Sequence, residues 1–453
     1  MPRSSDRGDE GFLERAHAGS RASAVDSRSH QTQNRRKLLT SPAVDIVIVN
    51  WNGREHTLAC LRSIEPQLAA IAGLGGAVVT VVDNGSTDGS AEAIAAAFPL
   101  VRLIRLESNR GFTGGLAAAV SASKARNVIF LNNDAVAEQG WLAALTGAID
   151  NQPDDVIAVG GKIIDISGKL IDFIGGMLTF DGHAFQNGFR DPLGSRPEPE
   201  AGAEILFACG GNMIARRQPL LELGGFDDDY FAYLEDVDFG WRAWLSGFRV
   251  LWEPRAVVRH ASSATSNRLG NFERGVLFER NALQTAIKNY EADLLHDLAG
   301  PIFLTYLHRL HHYATRRNPR ALELTREPFT ADAAPQPAPN LWRRVKRRIK
   351  RILLRRLFPE SGAQALAAFD DPLTTMQFRA LDWIIRNGDH IVAKRSEVQR
   401  RRKRSDAEIF ARFPLTFVPT YPGDEELMQG ALFQALRPTI PSVDRKLGEI
   451  MRT

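Results

Sequence analysis

The chain has 453 residues, 44% hydrophobic and 24% charged, which excludes disorder throughout and is enough for a large core and more than one domain. Lys and Arg total 57 against 53 Asp and Glu, a formal net charge of +4, so no strong overall field selects a partner. The two cysteines, Cys60 and Cys209, lie far apart and form no CxxC pair, which excludes a disulfide framework or thiolate metal site and suits an intracellular, reducing compartment.

Residues 1–42 are rich in Ser, Arg and Asp, lack the apolar run of a signal peptide, and read as a disordered tail. From Val44, short β-branched runs alternate with Ala- and Leu-rich segments: 44–50, 54–71, 78–83, 90–98, 101–106, 116–125 and 128–131. That rhythm predicts a doubly wound α/β domain, with a mostly parallel sheet covered on both faces. After about residue 155, Gly168, Gly175, Gly176 and Gly182 punctuate short strands and predict an antiparallel extension. Leu234, Val237, Trp241 and Leu245 fall on one face of a helix starting near Glu235, and the small Gly240 and Ala243 are expected to leave the Asp236 face open. The domain is bounded at 43–290. A helical extension follows over 291–327, a Pro/Ala-rich linker over 328–340 and a helical, basic region over 341–453. No apolar stretch reaches the roughly 18 to 20 residues that span a bilayer.

Open α/β sheets bind ligands at the C-terminal ends of their strands, and four such ends stand out. The first is Asn50-Trp51-Asn52-Gly53, which also reads as a plain turn into a helix. The second is DNGSTDGS, 83–90, where Asp83 can accept hydrogen bonds from a base or ribose and Asp88 caps the next helix. In NRGFTGG, 109–115, glycines allow close approach of backbone to a phosphate at a helix N-terminus. FLNND, 130–134, ends a strand in two amides and an acid, and a carboxylate there can hold Mg²⁺ or Mn²⁺ against a diphosphate. Further on, VVRH ends in His260. Glu235, Asp236 and Asp238 begin a helix, where its dipole favours carboxylates, and Asp238 with Arg242 reads as a surface ion pair. The preceding glycines and aspartates of 224–229 read as a mobile wall of a cleft.

Taken together and in this order, DNGSTDGS, NRGFTGG, FLNND, GGFDDDYFAYLEDVDFGWR and VVRH resemble the family 2 glycosyltransferases of GT-A fold, in particular the rhamnosyltransferase-like and galactofuranosyltransferase-like branch. The resemblance runs from about Val44 to Asn289. It implies an inverting enzyme using a nucleoside-diphosphate sugar and a divalent cation, Mg²⁺ or Mn²⁺. It further implies that Asp236 is the base, supported by Glu235, and that Asp134 and His260 bind the cation. Donor binding falls to Asn50, Asn52, Asp83, Asn109, Gly111, Gly114, Asn132, Asn133, Gly211 and Asn212. Phe226, Asp227, Tyr230 and Tyr233 would border the acceptor, a glycan or lipid-linked hydroxyl. One acid in Asn132-Asn133-Asp134, where many relatives carry DxD, makes the cation depend on His260 and substrate phosphates. The Gln-x-x-Arg-Trp signature of processive synthases is absent, so addition of one or a few sugars is expected.

Beyond the resemblance, Leu341, Val345, Ile349, Ile352 and Leu357 share one side of a helix otherwise filled by Arg and Lys over 341–358. Such a helix suits an anionic membrane surface and gives a cytoplasmic, peripheral location on the inner face, or else packs on the catalytic domain. Arg400 to Arg404 reads as a solvated face. Two other classes compete: a nucleotidyltransferase, for which Asn52-Gly53-Arg54 is too thin a loop, and a nucleic-acid-binding protein, whose basic residues would lack a reading motif, so no nucleic acid is expected.

Overall fold

The computed structural model describes residues 42–261, 270–315, 372–421 and 423–451. The expected tail up to residue 41, the linker 328–340 and the basic helix 341–358 therefore lie outside the described residues.

Strand β1 (Val44–Asn50) is buried at every position, as a continuous apolar run at the centre of a covered sheet requires. The chain continues through α1 (Arg54–Ile64), β2 (Ala77–Asn84), α2 (Ser90–Ala97), β3 (Arg102–Leu106), α3 (Gly111–Ala122), β4 (Asn127–Leu131) and β5 (Ala135–Ala137). Next come α4 (Trp141–Asp150), β6 (Val156–Asp165), β7 (Ile171–Phe173) and a hairpin of β8 (Gly176–Leu178) with β9 (Ala184–Gln186). Then follow β10 (Asn212–Arg216), α5 (Arg217–Glu222), α6 (Glu235–Leu245) and β11 (Arg249–His260). The main sheet has the order β3-β2-β1-β4-β10-β6-β11-β5. Its first four strands run parallel, β10 enters antiparallel between β4 and β6, and β7 adds antiparallel to β6. This is the mostly parallel α/β sheet with an antiparallel extension that the sequence predicts. Asn50 lies opposite Asp83 in the register, so the first two motifs meet at one sheet edge, and Asn132 to Asp134 follow the end of the neighbouring β4.

Helix α6 begins at Glu235, where the apolar spacing places it, but it is buried on nearly all sides. The face of Gly240 and Ala243 is closed: a Cβ on Gly240 would sit 2.5 Å from Phe207 Cβ and 2.7 Å from the Leu206 carbonyl oxygen. Glycine is needed there because a backbone segment crosses the helix. Of its residues only Asp236, in the first turn, stays half-buried.

Helices α7 (Asn271–Asn289) and α8 (Ala292–Thr315) extend the domain, and α9 (Pro372–Arg386), α10 (Gly388–Arg401) and α11 (Asp406–Arg412) pack back on it. The end of the chain carries β12 (Leu415–Phe417), α12 (Asp424–Gln429), α13 (Ala431–Leu436), β13 (Ser442–Asp444) and α14 (Leu447–Ile450). Strands β12 and β13 pair in parallel, so this part is not purely helical. The run from Arg400 to Arg404 is docked, not solvated: Arg404 donates to the carbonyls of Trp244, Gly247 and Phe248, and Arg402 to that of Asn289 and to Asp406. Deeper in this interface, fully buried Arg309 bridges Asp181 at 3.2 Å and Asp424 at 2.8 Å. Removing one member of such a buried pair costs about 3 to 5 kcal/mol, so the cluster ties the C-terminal part to the domain. Among the described residues no helix is long and apolar enough to cross a membrane.

Candidate active site

At the edge formed by β1, β2 and β4, amides and carboxylates bond to one another across strands. Asn50 Nδ2 donates to Asp83 Oδ1 and Ser86 Oγ, both at 3.1 Å. Its Oδ1 accepts from the Gly53 N–H at 3.1 Å, Thr57 Oγ1 at 2.8 Å and Asn133 Nδ2 at 3.3 Å. Asn50 therefore orders the turn and orients Asp83, which is itself only 5% exposed. Asn52, at φ 53°, accepts from the Thr87 N–H at 2.7 Å, which joins the first two motif turns. Asp88 accepts the N–H groups of Ser90 and Arg54, the structural role read for it.

The third motif is used differently from its sequence reading. Asn109 Oδ1 accepts from Asn84 Nδ2 and the Gly111 N–H, each at 2.9 Å. Gly111 has φ 76°, and a Cβ there would lie 2.4 Å from the Phe231 carbonyl oxygen. A Cβ on Gly114 would meet Arg110 Cβ at 2.7 Å, and one on Gly115 would meet Val49 at 2.6 Å. The close approaches these glycines permit are thus to the protein's own chain, including the loop that precedes α6.

Asp134 and His260 come together at the end of β4. His260 Nε2 lies 3.0 Å from Asp134 Oδ1 and its Nδ1 lies 2.9 Å from Asp172 Oδ2. Burial would lower the imidazole, but hydrogen bonds and charge from both aspartates outweigh it and raise its pKa to about 10. Burial likewise works to raise Asp134, and the contact with His260 overcomes it, holding that carboxyl below its ordinary range. Asp172 carried no sequence signal, because β7 reaches His260 only through the sheet. Among the described residues no three His, Cys, Asp or Glu side chains are grouped to hold a metal ion. A carboxylate oxygen and an imidazole nitrogen that gives up its proton to the incoming ion, with a second carboxylate behind the imidazole, fit a hard divalent cation completed by substrate oxygens and water.

The link from this edge to α6 runs through Gly210 and Gly211. The Asn132 N–H donates to the Gly211 carbonyl at 3.2 Å, and Asn132 Nδ2 lies 3.3 Å from His260 Nε2. A Cβ on Gly211 would be 2.6 Å from that same Asn132 amide nitrogen. One residue earlier, the Gly210 N–H donates to Asp236 Oδ2 at 2.9 Å, while Val237 N–H donates to Oδ1 at 2.8 Å. Burial raises the Asp236 pKa against these two hydrogen bonds, which favour the carboxylate. Burial, then the charge of Asp236, pushes Glu235 up to about 8, and its buried Oε2 has no hydrogen-bond partner. The pair therefore divides into a carboxyl that holds its proton at neutral pH and one bonded as an acceptor.

Several predicted residues are spent on structure. Asn212 is fully buried, accepting from Trp141 Nε1 at 2.7 Å and donating to the carbonyls of Lys162 and Ala256. Phe226 is buried edge-on against Phe130, with ring centroids 5.0 Å apart. Asp227 is paired with Lys288 at 2.5 Å and with Lys394, which together hold its carboxyl far below the ordinary range despite burial. Tyr230 has no exposed surface and bonds Thr285 Oγ1 at 2.5 Å. Of the four residues expected to border the acceptor, Phe226 and Tyr230 are buried, and Asp227 and Tyr233 are half-buried. The expected surface pair Asp238–Arg242 is also buried, 2.7 Å apart, with Lys288 3.0 Å from the other oxygen of Asp238. Within the wall 224–229, Asp227 and Asp229 are held by Lys288, His390 and Lys394.

Residues 45–224 match the family described as glycosyl transferase family 2. An N-acetylglucosaminyl-diphospho-decaprenol L-rhamnosyltransferase of Mycobacterium tuberculosis is 30% identical over 213 residues, covering 42% of this chain and 68% of that protein. The O-antigen biosynthesis protein RfbC of Myxococcus xanthus is 27% identical over 196 residues, covering 41% of this chain and 15% of that protein. Among solved structures, the mannosyltransferase PcManGT from Pyrobaculum calidifontis, in complex with GDP-Man and Mn²⁺, superposes with a TM-score of 0.41 at 18% identity, covering 77% of this chain and 87% of that one. GalNAc-T7 with UDP, GalNAc and Mn²⁺ gives 0.44 at 16% identity, covering 59% and 51%.

Proposed function

The chain belongs to glycosyltransferase family 2 and is a glycosyltransferase, and we propose that it transfers a sugar from a nucleoside-diphosphate donor, with inversion, to a hydroxyl of a glycan or lipid-linked acceptor. Rhamnose is the first candidate sugar, because a rhamnosyltransferase is among its relatives. Addition is non-processive.

The observation that carries this reading is the continuous path from His260 and Asn132 through Gly211 and Gly210 to the Asp236 carboxylate. It puts a hydrogen-bonded carboxylate beside an edge suited to a nucleotide and its cation. In this reading Asp83, oriented by Asn50, takes the base and ribose, and Asn132 and Asn133 flank the diphosphate. Asp134 and His260 would hold Mg²⁺ or Mn²⁺, which neutralises charge on the departing diphosphate. Asp236 removes the acceptor proton as the hydroxyl attacks the anomeric carbon from the face opposite the leaving group, so no enzyme nucleophile is needed and the centre inverts. Burial and the neighbouring Asp236 charge bias Glu235 toward its protonated form, which limits negative charge beside that base. The acceptor lies by Tyr233, and a lipid-linked acceptor would be met at the inner membrane face through 341–358.

Base assistance contributes about 100- to 10,000-fold, so Asp236→Asn should lose that much turnover while keeping its affinity for UDP or dTDP in calorimetry. A fully active variant removes Asp236 from the mechanism. Release of pyrophosphate from a nucleoside triphosphate and sugar phosphate, in place of nucleoside diphosphate from a sugar nucleotide, would reject the reaction class.

A further inference from the structure

The five residues before Asp236 follow an unusual path. Phe231, Tyr233 and Leu234 all have positive φ, at 61°, 73° and 64°, and none is glycine. Phe231, with ψ −57° and the Ala232 N–H bonded to the Tyr230 carbonyl at 2.6 Å, forms a γ-turn of the strained hand. Leu234 is the left-handed N-cap of α6 and provides no side-chain cap. Side chains with a Cβ rarely adopt such conformations, and a run of them persists only where surroundings over-determine it.

Helix α7 supplies that hold. Asn281 is fully buried, and its Nδ2 donates toward three carbonyls of the turn: Tyr230 at 3.0 Å, Ala232 at 2.8 Å and Tyr233 at 2.7 Å. Its orientation is fixed from the other side, where Oδ1 accepts from Gln284 Nε2 at 2.9 Å and Arg280 Nε at 3.1 Å. Arg280 Nη2 adds bonds to the carbonyls of Asp229 and Tyr230, at 2.5 and 3.0 Å. On the opposite flank, the Phe231 carbonyl accepts from the Thr113 N–H at 3.2 Å, over the cleared surface of Gly111. The turn is thus stretched between α3, at the donor edge, and Asn281, and its far end is the first turn of the helix that carries Asp236.

We propose that Asn281 is a positioning residue for Asp236: its amide gathers the carbonyls of the 230–234 turn and thereby sets the angle at which α6 presents the base to the donor edge. The inference rests on the reading of Asp236 given above. Asn281 touches no substrate in this role, so its removal should lower kcat without weakening the nucleotide site, which is built from β1, β2 and β4.

The test uses the full chain with Asn281→Ala, and Asn281→Ser, which keeps one donor, should the first not fold. Turnover is read on the sugar nucleotide selected by a donor screen, and nucleotide affinity by titration with UDP and dTDP. Misplacement of a reacting group by about 1 Å costs on the order of 100-fold, so kcat should fall about that far while nucleotide affinity stays within about threefold. Adding Phe231→Gly, which lets glycine adopt the γ-turn unaided, should recover part of kcat without raising Tm. A kcat within about threefold of the parent, a loss of nucleotide affinity equal to the loss of kcat, or no recovery with Phe231→Gly would overturn the proposal. Asp236→Asn assayed alongside separates the two claims. If that variant is active, the assignment of the base fails; if it is inactive while Asn281→Ala keeps its kcat, the positioning role alone fails.

Discussion

The donor edge and the loop before α6 are built by opposite means. At the edge, Asn50 and Asp83 lie at the ends of strands and Asn133 and Asp134 just after one, in a buried sheet that sets their register, and they bond to close spatial neighbours such as Ser86 and Thr57. Regular structure delivers them, and each lies within a few residues of the strand that places it. The 224–234 loop has no ladder of its own, so its carbonyls and carboxylates are held by residues 49 to 165 positions away: Arg280, Asn281 and Lys288 from α7, and His390 and Lys394 from α10. Irregular backbone that is buried must find partners elsewhere, and here those partners come from beyond the last of the motifs, which ends at His260.

That contrast can be broken at either end. The largest effect is expected at the edge: Asp134→Ala should lower Mn²⁺-dependent affinity for UDP or dTDP by about 100-fold, because it removes a ligand where neighbouring positions alone are worth 10 to 100. Equal affinity with and without chelator would contradict the role of Asp134. A smaller effect is expected at the loop. Lys394→Met leaves Asp227 to Lys288 alone and frees Asp229 from one partner, so the KM for acceptor should rise by about fivefold with nucleotide affinity unchanged, from loss of two partly buried ion pairs. A change in nucleotide affinity instead would show that the two regions are not separate.

The smallest effect on turnover belongs to Glu235→Gln, and its sharper readout is stability against pH. Burial and Asp236 raise the Glu235 carboxyl from 4.5 to about 8, with Asp238 adding to the same sign. A carboxyl raised on folding carries no penalty below its unfolded value and an increasing one as pH climbs through the window up to its folded value. The Tm advantage of Glu235→Gln should therefore grow from about pH 4.5 to about pH 8 and level off above it. A Tm difference that is flat with pH would mean that Glu235 titrates normally.

Much of this arrangement was legible in the sequence because its signals are local. The βα rhythm, the polar strand ends and the start of α6 at Glu235 each follow from neighbouring residues, whereas the meeting of Asp134 with His260 was implied only by the family resemblance. What could not be read depends on distant partners. Asn212 looked like a ligand to the donor, yet Trp141, Lys162 and Ala256 use its whole amide. Asp227 and Tyr230 were expected to border the acceptor and Asp238–Arg242 to lie at the surface, where charge and hydroxyl usually are; Tyr230 and the pair are instead buried, and Asp227 is half-buried and paired with Lys288 and Lys394 from α7 and α10. Asp172 and Asn281 carried no motif at all. The i to i+4 spacing pairs Asp238 with Arg242, but nothing local indicates that Lys288 completes the set.

The most direct test of the account is a crystal structure of the full chain with Mn²⁺ and UDP or dTDP. The account predicts an anomalous Mn²⁺ peak ligated by Asp134 and His260, the nucleoside against Asp83, and the Asp236 carboxylate opening onto the space beyond the terminal phosphate. A peak away from Asp134, or a diphosphate bound on the far side of Gly210 and Gly211 from Asp236, would contradict it.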